Sequence, residues 1–426
     1  MVVGHSRSLQ SSSAITMSGV QHYRARWTIP ISQPPIAGGS IAIANGRIQE
    51  LGESRQQPDA IDLGDVAILP GLVNAHAHLD LPTLPQIEAD ASFTRWLSHV
   101  VAWRRSASNS LVRSTIETGL AEVVQSGTTL VGDITTSSSA DELLAASGIG
   151  SLRFREVLGL SPARYEPLWN TAGETLGGPD TSLSLHAPFS TSRELYRRVN
   201  ADSFSHPIAT HWMETREERE FLRSGRGPIH DFLDSVGAIH GLSPAELPCE
   251  DWSDYLDGPG NVRWILVHGN YISHAEITRL ASPPFRERVA GVVYCPRTHA
   301  RFRHAPHPFE QLMEAGIPVA LGTDSRASSP NLSLFDEGRF LAEIARDLDP
   351  RKILAMMTLH GARVLGREAT CGALETGKSA DLTIVKLPVD SRDDPAASVL
   401  HPDAQVVGTM VGGNWRWKRN GFAEHA

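Results

Sequence analysis

The sequence predicts an α/β protein with a parallel sheet at its centre and a small all-β region built from its two ends. Between residues 66 and 363, short β-branched runs alternate with amphipathic helical stretches. Strand-and-turn patterns occupy both flanks of this region. At 426 residues, the chain can fill one large domain and one small one. A βα alternation of this length is typical of a (β/α)₈ barrel or of a doubly wound sheet.

The first residues, 1–19, are rich in serine and contain no apolar run of the kind found in secretory signals. This composition does not support a secretory signal. It favours either a disordered tail or a true start at Met17, shortly before the first structured segment.

The two ends of the chain both carry strand patterns. Residues 20–70 alternate apolar and polar positions, and Asn45-Gly46 is a typical hairpin turn. The same texture returns after Gly372. We therefore expect residues 20–70 and 370–426 to form one small β-sandwich beside a barrel over residues 71–369.

The middle of the chain supplies strands and helices in alternation. The strands that the sequence predicts are Thr128–Asp133, Leu183–His186, Ile208–His211, Trp264–His268, Val289–Cys295 and Val319–Thr323. The helices that it predicts include Leu111–Ser126, Arg193–Val199, Glu310–Ala315 and Leu334–Asp347.

Composition disfavours several classes of function. The 39 basic and 48 acidic residues give a net charge of −9, which disfavours nucleic acid or an anionic membrane as the main partner. The longest apolar runs fall short of the ~20 residues of a membrane-spanning helix. The three cysteines contain no CxxC pair, so they predict neither a disulfide framework nor a thiolate zinc site. We therefore expect a cytoplasmic protein with a small-molecule substrate.

Two histidines stand at the end of an apolar run, in Leu69-Pro-Gly-Leu-Val-Asn-Ala-His76-Ala-His78. Positions i and i+2 of a strand share a face, so both imidazoles can bind one ion. Two histidines at a strand end without such a role are the alternative.

Four more strand candidates end in side chains suited to metal or proton chemistry, namely His186, His211, His268 and Asp324. A single histidine after a strand is usually structural. In a (β/α)₈ barrel, however, all strand ends open on one face, where active sites form. The combination with His76 and His78 therefore predicts a metal site.

This pattern closely resembles the amidohydrolase superfamily, and the segment 372–382 resembles that family's return into its β-sandwich. The resemblance implies a (β/α)₈ TIM barrel and covers nearly the whole chain. It implies that the metal ligands are His76, His78, His211 and Asp324. It also implies that His268 assists the reacting water and that Asp324 accepts its proton.

A further segment, His211-Trp-Met-Glu214-Thr, resembles the His-x-x-Glu element of single-metal deaminases. By that resemblance, Glu214 moves protons on the substrate ring. The alternative is a helix N-terminal acid favoured by the helix dipole, as Glu217, Glu218 and Glu220 are expected to be.

The lysines bear on the number of metal ions. Two-metal relatives bridge their ions with a carbamylated lysine, but no lysine lies between His78 and Lys352. We therefore expect one divalent ion. Zinc suits three imidazoles and a carboxylate best, and iron is also compatible.

Other segments point to an adenine-type nucleoside. His186-Ala-Pro-Phe-Ser-Thr-Ser resembles the substrate-contacting segment of adenosine-type deaminases, so His186 and Glu214 are expected to bind substrate. The segments 23–27, 73–81 and 93–100 resemble aminodeoxyfutalosine deaminases, which convert 6-amino-6-deoxyfutalosine to futalosine in menaquinone synthesis. Because that substrate carries a benzoate, an arginine partner is expected. The candidates are Arg155, Arg153 and Arg95, with solvated surface arginines as the alternative.

Two positions depart from the pattern. Thr298-His299 stands where the family usually has Ser-Asn, which could reshape the pocket floor, and Asp80 stands where relatives often have glutamate. The nearby His299, His304 and His307 either line the entrance or belong to a solvated loop.

Several alternatives stay open. Among enzymes they are an S-adenosylhomocysteine or methylthioadenosine deaminase, a guanine deaminase and an s-triazine hydrolase. Outside enzymes, the alternative is an inactive barrel that serves as an assembly protein. A homodimer is compatible with the sequence, although no patch in it identifies an interface.

Overall fold

The computed structural model describes residues 19–53, 59–84, 92–389 and 394–422. Apart from Gly19, the tail predicted over residues 1–19 lies outside the described residues.

The described strands fall into three sheets. In chain order they are β1 (Gln21–Arg24), β2 (Trp27–Thr28), β3 (Ile36–Ala37), β4 (Gly39–Ala44), β5 (Arg47–Glu53), β6 (Ile61–Asp62), β7 (Val66–Pro70), β8 (Leu72–His78), β9 (Thr128–Thr135), β10 (Gly150–Val157), β11 (Thr181–Leu185), β12 (Ile208–Trp212), β13 (Trp264–His268), β14 (Val289–Tyr294), β15 (Val319–Leu321), β16 (Asp324–Ser325), β17 (Leu382–Lys386), β18 (Gln405–Val411) and β19 (Asn414–Lys418).

Helices connect most of the central strands. They are α1 (Phe93–Ser106), α2 (Asn109–Gln125), α3 (Ser139–Ser147), α4 (Pro162–Gly173), α5 (Arg193–Asn200), α6 (Arg216–Ser224), α7 (Pro228–Ser235), α8 (Ser253–Leu256), α9 (His274–Leu280), α10 (Phe285–Arg288), α11 (Pro296–Arg301), α12 (Phe309–Glu314), α13 (Leu334–Ile344), α14 (Pro350–Met356), α15 (Leu359–Val364) and α16 (Pro395–Val399). Within the described residues, we find no helix with both the length and the apolarity required to cross a bilayer.

The central sheet is a closed (β/α)₈ barrel, as predicted. Strands β8 to β14 lie side by side in chain order, and every neighbouring pair is parallel. The eighth strand has two parts, of which β15 pairs with β14 and β16 pairs with β8. Because all strands are parallel, their carboxyl ends meet at one rim.

The seam between the last and first strands needs a glycine. In the register, Asp324 pairs with Ala77 and Ser325 with His78. A Cβ atom on Gly322 would come within 2.9 Å of the carbonyl oxygen and the Cβ atom of His76. Since real Cβ atoms do not approach so closely, only glycine lets β15 and β16 run beside β8.

The two chain ends form two further sheets, which confirms the prediction of a β-sandwich from the termini. One has the order β19-β18-β17-β7-β2-β3, and the other has the order β5-β4-β1-β6. The link between the ends is the antiparallel pairing of β7 with β17, in which Ile68 faces Ile384. Both isoleucines are fully buried in a core that also contains Tyr23, Ile41 and Met410.

Strand β10 was not among the strands that the sequence predicts. Its inward positions Leu152 and Phe154 alternate with Arg153 and Arg155, so no apolar run marks it. In the structure, the side chains of Leu152 and Phe154 pack inside the barrel. Arginines are accommodated on its outer face because Arg153 and Arg155 both pair with Asp141 of α3.

The predicted elements otherwise agree with the observed ones apart from small shifts at their ends. Strand β9 extends to Thr135, two residues beyond the predicted end. Strand β11 starts at Thr181 and ends at Leu185, so His186 follows the strand instead of closing it. Helix α13 ends at Ile344 rather than Asp347.

Replacing Ile384 by alanine is expected to destabilise the protein by roughly 2–5 kcal/mol, because it opens a cavity where the two chain ends meet. The milder Ile384→Val change should cost about 0.5–1.5 kcal/mol. Urea unfolding followed by circular dichroism measures both. Val389, 82% exposed, is the control, and Val389→Ala should stay within about 0.5 kcal/mol of wild type. An equal effect of the three changes would contradict the role of this contact.

Candidate metal and active site

Three of the predicted histidines meet at the carboxyl rim of the barrel. His76 and His78 lie on one face of β8, and His211 comes from β12. Their candidate ligand atoms all lie within 4.8 Å of one another. The Nε2 atoms of His78 and His211 are 3.3 Å apart. All three rings are buried, so the structure brings together the histidines that the sequence pairs with a metal.

Asp324 joins this triad across the barrel seam. Its Oδ1 atom lies 3.6 Å from Nε2 of His76 and 4.0 Å from Nε2 of His78. Burial by itself raises the pKa of Asp324, but the contact with His76 and the charge of His268 lower it to about 2. The hydroxyl of Ser328, which donates to Oδ2 at 2.7 Å, acts in the same direction. Asp324 is therefore a carboxylate at neutral pH.

The donor set fits a divalent ion. Nε2 of His76, which faces Asp324, is buried and has no hydrogen-bond partner among the described residues, and such an atom is costly unless something binds it. Burial lowers the pKa of His211 to about 3, and that of His78 also falls well below its usual value. Neutral imidazoles and an ionised carboxylate are the protonation states in which these groups bind metals.

His268 and Glu214 stand next to the triad as a pair. Nε2 of His268 lies 3.5 Å from Oε1 of Glu214, and both side chains are buried. Burial, together with the charges of Asp324 and Glu218, raises the pKa of Glu214 well above its usual range. A protonated carboxyl beside an imidazole can give and take protons on a bound molecule.

The backbone is held in the left-handed region at three residues of the site. The φ angles of Met213, His268 and Asp324 are +49°, +71° and +55°. Residues other than glycine seldom adopt such angles, although aspartate and histidine do so more often than most, and the cost is of order 1–3 kcal/mol each. Met213 follows β12, His268 ends β13 and Asp324 begins β16, so all three turns lie at the rim that carries the site.

His307 supports His268 from behind. Its Nε2 lies 2.7 Å from the carbonyl oxygen of His268, and its ring stacks on Tyr294 at 4.0 Å between centroids. His307 is buried, so the prediction of an entrance or a solvated loop was wrong for this residue. His299 and His304 are half-buried, and His304 contacts the Tyr271 hydroxyl at 3.1 Å. Nothing in the sequence indicated that the segment after α11 reaches the end of β13.

Glu218 holds the turn that carries Glu214. Its two carboxylate oxygens accept the backbone N–H groups of Met213, at 3.3 Å, and of Glu214, at 2.8 Å. The sequence predicts Glu218 to be a helix N-terminal acid, and the structure shows its carboxylate bonded to the turn that precedes α6. Burial raises its pKa to about 7 even though these N–H groups lower it.

The site opens into a narrow cleft between the barrel rim and α1. Besides the triad region it is lined by His186, by Glu156 of β10 and by apolar residues of α1 such as Trp96 and Val100. The Nδ1 atom of His186 lies 2.5 Å from the Ser190 hydroxyl, which fixes its ring. His186 thus lies where a substrate contact is possible.

An acid–base network that the sequence did not single out lies in this cleft. Arg104 of α1 donates to Oδ2 of Asp80 at 2.9 Å, and its Nη2 lies 3.8 Å from Oε2 of Glu156. Asp80 and Glu156 are buried. Asp80, which departs from the family pattern, was the one member of this network that the sequence marked, and its carboxylate pairs with Arg104. Nothing in the spacing of Arg104 showed that α1 crosses the barrel mouth.

The structure corrects the expectation for Arg155. Its guanidinium bonds to Asp141 and, at 3.1 Å, to the Thr175 hydroxyl, on the outer face of β10. Arg153 points the same way, 3.2 Å from Asp141. The period of two along the strand places Glu156, and not Arg155, in the cleft. Arg95 is exposed on α1 and does not line the cleft either.

Thr298 also has a role other than the expected change of the pocket floor. Its hydroxyl donates to Ser328 at 3.1 Å, and Ser328 donates to Asp324. This chain of hydroxyls orients the carboxylate. Threonine at this position supplies the same hydroxyl group that serine would.

Comparison with known proteins agrees with this geometry. The model of the Amidohydrolase family matches residues 67–416, which is most of the chain. The chain belongs to the amidohydrolase family. It is a hydrolase that acts on carbon–nitrogen bonds other than peptide bonds, in the aminohydrolase class.

This amidohydrolase has relatives of known name and structure. It is 30% identical to a 5-methylthioadenosine/S-adenosylhomocysteine deaminase of Moorella thermoacetica, over 84% of each chain. Its fold matches a Xanthomonas campestris adenosine deaminase with bound zinc at a TM-score of 0.75, 23% identity and 95% and 94% coverage. It also matches Helicobacter pylori aminofutalosine deaminase in complex with methylthio-coformycin at a TM-score of 0.75, 21% identity and 93% and 99% coverage.

Replacing His307 by phenylalanine is expected to keep the stack on Tyr294 while leaving the His268 carbonyl without a donor. An unpaired buried carbonyl costs about 1–3 kcal/mol. We expect a comparable loss of stability in urea unfolding and a lower kcat of this amidohydrolase with little change in metal content. A variant with wild-type kcat would show that His307 does not position His268.

Glu218 gives this amidohydrolase a stability that falls as the pH rises. Its pKa is about 7 in the folded state and 4.5 in the unfolded state, so the unfolded chain loses its proton first. This carboxyl alone should lower the free energy of unfolding by about 2 kcal/mol between pH 5 and pH 7. In Glu218→Gln the decline between pH 5 and pH 7 should be smaller by about this amount, whatever the absolute stability of the variant. Parallel pH profiles of the two proteins from urea unfolding would contradict this assignment.

Proposed function

We propose that this amidohydrolase is a metal-dependent deaminase of an adenine-type nucleoside, with 6-amino-6-deoxyfutalosine as the best substrate and futalosine and ammonia as products. The observation that carries the proposal is the buried pair of Glu214 and His268, 3.5 Å apart, beside the histidine triad. Deamination of a purine requires a proton on a ring nitrogen and an activated water next to it. The pair and the triad offer these two functions at adjacent positions.

The names of the similar proteins support an adenine-type ring. The relatives at 30%, 28% and 27% identity are all named 5-methylthioadenosine/S-adenosylhomocysteine deaminase. For the aminofutalosine ring system, support comes from the segments that resemble aminodeoxyfutalosine deaminases and from the fold match to the Helicobacter pylori enzyme. The role in menaquinone synthesis follows from this substrate.

The proposed metal ligands are His76, His78, His211 and Asp324. A single divalent ion bound there, zinc by preference, supplies a Lewis acid that lowers the pKa of a water molecule toward neutrality. Zinc suits three imidazoles and a carboxylate, and the similar Xanthomonas campestris structure contains it.

The protein's own residues then move the protons. Asp324, ionised in the folded protein, accepts a proton from the attacking water, and His268 holds the water oxygen by a hydrogen bond. The oxygen adds to the ring carbon that bears the amino group, while Glu214 donates its proton to the adjacent ring nitrogen. The proton taken up by Asp324 passes to the amino group. The carbon–nitrogen bond breaks and ammonia leaves. The proton that remains on the added oxygen passes to Glu214, so that the ring carbon becomes a carbonyl, the ring nitrogen keeps its proton and Glu214 is protonated again.

Two other functions remain as alternatives. A methylthioadenosine or S-adenosylhomocysteine deaminase is favoured by the names of the curated relatives, and it uses the same ring chemistry. The inactive-barrel hypothesis is disfavoured, because each residue proposed to bind metal is present and buried at the same rim.

The test measures metal content and ammonia release by the purified protein. The panel holds aminodeoxyfutalosine, adenosine, S-adenosylhomocysteine, methylthioadenosine, guanine and an aminotriazine. We expect about one zinc or iron per chain and a preference for aminodeoxyfutalosine. Glu214→Gln should lower kcat by ~10²–10⁴-fold, since it removes one general acid–base group. Glu220→Gln, on the exposed face of α6, is the matched control and should behave as wild type.

Each outcome of this panel decides something. Preference for another nucleoside would overturn the substrate and keep the deaminase chemistry. A folded, metal-loaded protein that releases ammonia from no ring would overturn the deaminase proposal. Activity that survives complete metal removal by dipicolinate would overturn the metal-dependent mechanism.

A further inference from the structure

A second cavity adjoins the active-site cleft, and we call it the side lobe. We propose that it binds an apolar arm on the substrate's ribose, and that Arg105 and Arg164 bind a carboxylate at the end of that arm. This inference rests on the proposed function and deepens it. It replaces Arg155 with two arginines that the sequence did not single out.

The side lobe is continuous with the cleft. The two share five lining residues, namely Leu97, Val100, Arg104, Glu156 and His186. The cleft offers only about 50 Å³ beside the metal ligands, whereas the lobe offers about 370 Å³. The larger volume lies in the range of small-molecule sites. A nucleoside whose ring edge reaches Glu214 therefore has its room for a substituent in the lobe.

The walls of the side lobe are apolar and only partly covered. They come from α1, from α4, from α7 with the residue after it, and from the residue after β10. They include Val101, Leu168, Phe232, Val236 and Leu158, all of them half-buried. Burying such side chains against an apolar ligand group is favourable at roughly 25 cal/mol per Å². The apolar walls of the lobe therefore suit a hydrocarbon chain or an aromatic ring.

Two arginines stand among these apolar walls. Arg105 and Arg164 line the lobe, and both are exposed. Among the described residues, neither forms an ion pair; Arg164 donates only to the Gly237 carbonyl. By contrast, Arg104 at the junction already faces Asp80 and Glu156. Glu156 is the one carboxylate among the lobe residues that the structure describes.

The positions of these charged residues indicate which chemical group ends the arm. A guanidinium binds a carboxylate through paired, charge-assisted hydrogen bonds, and two of them around one cavity favour an anion. A neutral arm would gain the apolar contact without this pairing. A cationic arm would meet two like charges.

The test compares aminodeoxyfutalosine with its methyl ester, which differ only in the charge at the end of the arm. We expect the wild-type holoenzyme to prefer the acid by its kcat/KM. Arg105→Gln combined with Arg164→Gln should lower kcat/KM for the acid by roughly 10- to 100-fold, the usual range for lost charge-assisted bonds. The loss should appear in KM and not in kcat, and the ester should be unaffected. Arg95→Gln, on the same helix as Arg105 but outside the lobe, is the matched control.

A second variant tests the wall itself. Val236→Asp places a carboxylate in the lobe and should weaken binding of the acid more than binding of the ester. Binding of acid and ester to metal-loaded Glu214→Gln, measured by calorimetry, gives the same comparison without turnover. Equal affinity for acid and ester, or an equal loss in Arg95→Gln, would overturn the side-lobe proposal while adenosine turnover still upheld the deaminase. Failure to release ammonia from any nucleoside would instead overturn the proposed function, and calorimetry would still decide the lobe.

Discussion

The closure of the barrel is the constraint on which the site depends. Strand β16 pairs with β8, so that Asp324 comes to lie beside His76 and His78, which precede it by almost 250 residues. Without this seam, the carboxylate and the histidines would sit on opposite edges of an open sheet. Parallel strands also force the remaining groups, on β12 and β13, to the same rim. One topological fact therefore assembles the entire donor set.

The site residues are held in position by hydrogen bonds from residues that surround the site. Left-handed turns at Met213, His268 and Asp324 cost free energy, and the surrounding hydrogen bonds offset that cost. His307 binds the carbonyl of His268, and Glu218 binds the amides before and at Glu214. Hydroxyls hold Asp324 in the same way. Groups that touch no substrate thus determine where the reacting groups point.

Much of the fold could be predicted from sequence, because strands and helices follow from local periodicity, whereas only part of the candidate metal site could be predicted in this way. His211 and Asp324 were expected as ligands through the resemblance to the amidohydrolase superfamily. Two histidines at i and i+2 after an apolar run need no knowledge of distant segments. Strand β10 was missed because its charged outer face hides the apolar inner one, and the expectation for Arg155 failed with it. Arg104 could not be predicted, because its place depends on the angle at which α1 crosses the rim. Such angles depend on packing, which a linear pattern does not record.

The pairing of strands from the two chain ends has a consequence for folding during synthesis on the ribosome. The backbone of Leu72 bonds to the side chain of Thr383, 311 positions later, and β7 finds its central partner only in β17. At about 5–20 residues per second, a ribosome needs roughly 15–60 s to synthesise the intervening chain. Throughout that interval the apolar β7 and β8 have no complete sheet to join. A chain that ends before Leu382 therefore lacks β17 and leaves β7 without this antiparallel partner.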